Sequence, residues 1–107
     1  RVMNQKFKYE ANNINDVISN NKEAGWFFFH PETTKFFRSH ISSVLFENNT
    51  FVTSELHLRG DNWVRLYTAR RYNPENAWID TIGKFGGFTN QYDAMQFAKY
   101  YVPGAEV

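Results

Sequence analysis

Apolar residues run consecutively through Trp26, Phe27, Phe28 and Phe29, then recur after Pro31 at Phe36, Phe37, His40 and Ile41. The change of period predicts a buried extended segment followed by a helix that runs to Ile41. Pro31 suits the first turn of that helix, where its missing N–H leaves nothing unsatisfied. Lys35, Arg38 and Ser42 then fall on the opposite, solvent-facing side. His40, on the apolar side, reads as a hydrogen-bonded core residue. A thinner apolar face (Ile14, Val17, Ile18, Asn21) predicts an earlier helix from Ile14 to about Ala24, with Asn13 as N-cap, Asp16 at N3 and Gly25 as terminator. Residues 1–12 are mostly polar, with Phe7 and Tyr9 on alternate positions, and read as a flexible N-terminal arm rather than a short edge strand.

The period shortens downstream. Val44 to Thr53 predicts a β-hairpin around Asn48-Asn49, pairing Phe46 with Phe51 and Leu45 with Val52. Arg59-Gly60-Asp61-Asn62 is the next turn, Trp63 to Tyr72 a long strand, Asn73-Pro74-Glu75-Asn76 a type I turn, and Ala77 to Phe85 a fourth strand. Gly86-Gly87 breaks the sheet. Thr89 or Asn90 caps a last helix reaching about Tyr101, with Ala94, Phe97, Ala98 and Tyr101 as its stripe. The expected architecture is α+β: two N-terminal helices, a four-stranded antiparallel meander, and a C-terminal helix packed on one face of the sheet, the other face left to solvent or a partner. Residues 13–102 form the domain and 103–107 a tail.

Composition narrows the function more than it defines it. One domain accounts for 107 residues, and aromatics make up 19% of the chain, so rings must fill the core or line a surface. A formal charge of +1 argues against a whole-molecule grip on nucleic acid. The absence of cysteine removes disulfides, thiolate metal sites and a cysteine nucleophile. No apolar run nears the ~18 residues of a membrane span, and the start of the sequence has no signal-peptide core, so a cytoplasmic setting is expected. His30, His40 and His57 lack metal spacing, and no nucleophile elbow, phosphate loop or paired carboxylates stand out. No enzyme, cofactor or metal is therefore expected. Arg59-Gly60-Asp61 matches an integrin-recognition tripeptide and Asn48-Asn49-Thr50 a glycosylation sequon, but turn chemistry explains both.

The last two strands, paired across the Asn73–Asn76 turn, place Tyr72 opposite Ala77, Arg71 opposite Trp78 and Ala69 opposite Asp80. One face then carries Trp63, Arg65, Tyr67, Arg71, Trp78, Asp80, Ile82 and Lys84. Large rings among cations suit a protein hot spot, or base stacking with phosphate neutralisation. Ordinary cross-strand pairing of arginine stems over tryptophan rings also accounts for them. The candidate partner-binding residues are Trp63, Arg65, Tyr67, Arg71, Trp78 and Lys84, with Lys35 and Arg38 of the second helix as an additional patch.

The segment Trp26–Ile41, with its T-x-x-F-F-x-S-x-I pattern from Thr33 to Ile41, precedes an F-V-T-S-E strand (Phe51–Glu55) and a Y-T-x-R strand (Tyr67–Arg70). Together they resemble small domains of unknown function carried by bacteriophages and other bacterial mobile elements. The resemblance spans roughly Gly25 to Tyr100 and transfers no catalytic residue. It implies a cytoplasmic accessory protein, monomeric or a small homo-oligomer, that binds and inhibits a protein or nucleoprotein of the bacterial host, such as a CRISPR or restriction nuclease. Single-stranded nucleic acid is the alternative partner.

Overall fold

The computed structural model describes residues 7–102. Its chain order is α1 (Ile14–Glu23), α2 (Pro31–Phe37), β1 (His40–Ile41), β2 (Thr50–Arg59), β3 (Asn62–Asn73), β4 (Trp78–Ile82) and α3 (Gln91–Lys99). The four strands form one antiparallel sheet in sequence order. Both caps follow from local chemistry. Asn13 Oδ1 accepts from Asp16 N at 3.0 Å, and Asn90 Oδ1 accepts from Asp93 N at 2.8 Å, each satisfying an orphan amide of the first turn.

The second helix is shorter than its pattern predicts. Arg38 adopts a left-handed conformation (φ 48°), with its N–H bonded to Lys35 O and Ser39 N bonded to Thr34 O. That closure stops α2 after Phe37, and His40 and Ile41 become an edge strand pairing with Ser54 and Thr53. His40 is consequently exposed, and Ser42 is buried rather than solvated. The expected Val44–Thr53 hairpin is also replaced. Residues 42–49 form a loop in which Asn49 N bonds Phe46 O, with Asn49 at φ 64°. Asn48 is diverted to α3, its Nδ2 donating to Ala98 O at 2.9 Å and Tyr101 O at 3.0 Å. Phe46 keeps one main-chain bond, its N–H donating to Thr50 O at 2.9 Å, but Val44–Phe46 form no strand and the expected pairs with Phe51 and Val52 are not made.

β2 and β3 make the long central hairpin, closed at Arg59 and Asn62 around Gly60-Asp61, with Gly60 at φ 62°. Between β3 and β4 the register places Asn73 opposite Trp78, Arg71 opposite Asp80 and Ala69 opposite Ile82. The offset from the expected pairing is two residues. Because side chains alternate with period two, every residue within β3 and β4 keeps its predicted face, but β4 stops at Ile82, short of the expected Phe85, and Lys84 leaves the sheet. The extra length goes into the turn, where Ala77 takes φ 63°.

Helices cover both faces, where the sequence predicts one free face. On one side Phe51, Tyr72 and Ile79 pack with Val17, Phe29 and Ala77, joined by Tyr9, Ala11, Ile14 and Phe28. On the other side Val52, Ala69 and Ile82 pack beneath Ala94 and Ala98 of α3, with Phe46, Tyr67, Phe88 and Met95 around them. Residues 1–6 of the expected arm, and the expected tail 103–107, lie outside the described residues. The arm's end at Tyr9 is tied to the domain: its N–H donates to Pro74 O at 3.0 Å, and its carbonyl accepts from the Tyr72 hydroxyl and from Asn20 Nδ2.

Candidate functional site

α3 divides the aromatic and cationic face into two parts. Beyond its N-terminal end the β2–β3 hairpin continues as a two-stranded ribbon, and its tip carries Leu56, Leu58, Trp63 and Arg65 on one face. Leu58 stands directly opposite Trp63, and the two are 57% and 60% exposed. Phe36 of α2 is 73% exposed. Phe36, Arg38, Leu56 and Trp63 line a cleft of about 330 Å³.

The left-handed turn at Arg38 builds this cleft. It brings the end of α2 beside β2, where Arg65 Nη1 donates to Arg38 O and to Ser54 Oγ, both at 3.0 Å. Arg65 is thus a strut fixing α2 to the ribbon as much as a surface cation. Lys35, Arg38 and Arg59 are exposed nearby in the chain, against the carboxylates of Glu32 and Asp61.

The other predicted residues fall elsewhere. Tyr67 is half-buried among the residues under α3, with its main chain bridged to Phe88. Arg71 is half-buried and its Nε has no hydrogen-bond partner among the described residues. Trp78 lies at the β4 edge, its ring 4.7 Å from that of Trp26 and its indole N–H donated to Asp80. Lys84 is exposed in the loop after β4. Of the eight candidates, the cleft unites Trp63 and Arg38, with Arg65 bracing them.

A second cluster, on the opposite sheet face, holds residues that strand patterning did not single out. Glu55 and Arg70 are 3% and 8% exposed. Arg70 Nη2 meets Glu55 Oε2 at 3.1 Å, while Nε donates to Thr53 Oγ1 at 2.9 Å and Nη1 to Thr81 Oγ1. Thr53 and Thr68 donate to the two Glu55 oxygens at 2.6 and 3.1 Å, and Gly86 N donates to Thr68 Oγ1 at 2.9 Å. The rings of Phe28 and Phe85 lie 5.0 and 5.4 Å from the guanidinium carbon. Burial lowers the Arg70 pKa, and the Glu55 charge partly restores it. His57 Nε2 is 3.5 Å from Glu55 Oε1 but makes no hydrogen bond, so the contact becomes an ion pair only on protonation.

A cavity of about 80 Å³ reaches Glu55 and Arg70 between Phe28, Phe37 and Phe85. With the Arg70 charge compensated and both Glu55 oxygens accepting hydrogen bonds, the cluster reads as a satisfied polar core, not as an acid–base pair. The available signal was Glu55 itself, a carboxylate within the strand whose neighbours Phe51, Val52 and Thr53 are core residues. No group of three or more His, Asp or Glu is placed to hold a metal among the described residues, and none of their helices is long and apolar enough to cross a membrane.

Residues 13–99 match the model of a family of unknown function (DUF7447). The chain belongs to that family. The matched span runs from the α1 cap to the last residue of α3, so the DUF7447 domain includes the whole sheet, the α2 turn and the buried ion pair. No curated protein and no solved structure matches the chain.

Proposed function

We propose that this DUF7447 domain is a non-enzymatic binding protein that docks another protein at the tip of its central hairpin. The observation that supports this is the exposure of Phe36 and Trp63 around one cleft, with exposed Leu58 opposite Trp63, in a domain that buries charged Glu55 and Arg70. Large rings left in water beside arginines fit the composition of interface hot spots. Arg38 in the cleft lining, with Arg65 bonded to its carbonyl, favours a partner that sets a carboxylate beside an apolar anchor. The resemblance to mobile-element domains makes a protein of a bacterial host, such as a defence nuclease, the class of partner we propose, with inhibition as the consequence.

The test is affinity capture from bacterial lysate with nuclease treatment, comparing wild type with Trp63→Ala and Phe36→Ala. One protein retained after nuclease and lost with both variants, at unchanged melting temperature, is expected. Capture unaffected by either variant overturns the site. Recovery of nucleic acid alone, weakening steeply with salt, overturns the protein partner in favour of single-stranded nucleic acid.

A further inference from the structure

The opposite end of the sheet carries a second open feature, independent of the hairpin tip. Tyr67 N donates to Phe88 O at 2.9 Å and Phe88 N to Tyr67 O at 3.1 Å, so the odd-numbered residues of β3 direct their main-chain groups toward the β4 side. By alternation along an antiparallel ladder, Trp78, Asp80 and Ile82 face β3, and Ile79 and Thr81 turn their N–H and C=O outward. Neither has a main-chain partner on that outer side among the described residues. Beside this edge lies a cleft of about 310 Å³, lined by Trp26, Phe27, Phe28, Trp78, Ile79 and Asn21. Trp26 is held in place by its indole N–H, which donates to Asn76 O at 2.9 Å.

From this juxtaposition we infer that the β4 edge accepts an extended, basic segment of a partner protein as a fifth strand, with one large apolar side chain seated in the cleft. Main-chain bonds at Ile79 and Thr81 supply register, and the cleft supplies selectivity. Charge within the edge itself selects the occupant: Asp80, exposed at its middle, is the one charged residue of β4, while Glu23 and Glu75 beside it are offset by Lys22, Lys84 and the half-buried Arg71 opposite Asp80. A lysine or arginine opposite Asp80 makes a favourable cross-strand pair. A second copy pairing reciprocally through Ile79 and Thr81 would instead set Asp80 against its own equivalent.

Amide exchange of the full chain tests this with a synthetic acetylated peptide of alternating valine and lysine around a central phenylalanine. In the free domain the Ile79 and Thr81 amides should exchange faster than that of Asp80, and the peptide should slow both. Thr81→Pro removes an outward N–H without touching the β3 ladder and should weaken binding about fivefold to tenfold. Thr81→Val, which loses only the hydroxyl bonded to Arg70, should bind as wild type, as should Trp63→Ala at the distant tip. Trp26→Ala should abolish the preference for phenylalanine over alanine at the peptide's centre. The inference is overturned if the two amides are already protected, if glutamate in place of the lysines binds equally well, or if Thr81→Pro binds as wild type. Concentration-dependent dimerisation abolished by Thr81→Pro would overturn it in favour of a second copy.

Discussion

Glu55 and Trp63 belong to the same hairpin, yet their environments invert the usual rule. In its middle, a carboxylate and a guanidinium are buried and hydrogen-bonded; at its tip, Leu58 and Trp63 stand in water. The middle is roofed by Phe28, Phe85 and the loop through Gly86, and backed by α3, whereas the tip projects past all of them. Position relative to the covering elements, not residue polarity, decides exposure. Buried polar groups are tolerated where every partner is supplied, and exposed apolar groups carry little stability and remain available for binding.

Breaking the middle should cost most. Arg70→Met leaves Glu55 buried without its cation and is expected to lower unfolding free energy by about 3–5 kcal/mol, measured by urea denaturation. The double variant Glu55→Gln/Arg70→Met should recover much of that loss, because a pair removed together leaves no orphan charge. Equal instability of single and double variants would show that packing around the side chains, not charge compensation, holds this region.

Gly86→Ala follows in size. An added Cβ would lie 2.7 Å from His57 Cε1, in a backbone conformation (φ 67°) that favours glycine, so a loss of about 1–3 kcal/mol is expected. A melting temperature within experimental error of wild type would mean the roof over the ion pair yields easily.

The Tyr72 hydroxyl donates to Tyr9 O and accepts from Asn20 Nδ2, and burial raises its pKa. Above the ordinary tyrosine range the unfolded chain releases this proton while the folded chain retains it. Stability is therefore full below that range and falls as pH rises toward the higher folded value. Tyr72→Phe should lower stability at neutral pH by about 1 kcal/mol and flatten the alkaline decline, as read from denaturation midpoints across pH.

The tip should respond least. Trp63→Ala and Leu58→Ala each remove half of one exposed cross-strand pair and should change stability by less than about 1 kcal/mol. A larger loss would place these side chains in a core and remove the contrast with the middle of the hairpin.

Local signals located most of the elements. The Asn13 cap, Pro31, the Arg59–Asn62 turn and the alternation along β3 each act within a few residues and read correctly from sequence alone, while the last helix's cap was narrowed to Thr89 or Asn90, of which the structure uses Asn90. The two-residue register shift at Asn73–Ala77 was not legible, because Ala77 in a left-handed conformation is held by its surroundings and not by its own preference. The end of α2 was missed for the same reason: an arginine at φ 48° is an unfavoured terminator, stabilised here by the strand pairing of His40 and Ile41 and by Arg65 on its carbonyl. For the candidate surface, sequence supplied Trp63, Arg65 and Arg38 but grouped them with Tyr67, Arg71, Trp78 and Lys84. Face assignment says which side of a sheet a residue takes, not what lands on that side.

The sequence by itself determined the α+β class, the helix starts, the turn of the long hairpin and the side of the sheet on which each residue of β3 and β4 stands, since periodicity and capping are properties of neighbours along the chain. Tertiary structure decided that α3 closes one half of the aromatic face, that Asn48 serves a helix end instead of a turn, and that Glu55 and Arg70 meet in the interior. Those outcomes depend on contacts between residues far apart in the chain, whose energies outweigh the local preferences that a sequence displays.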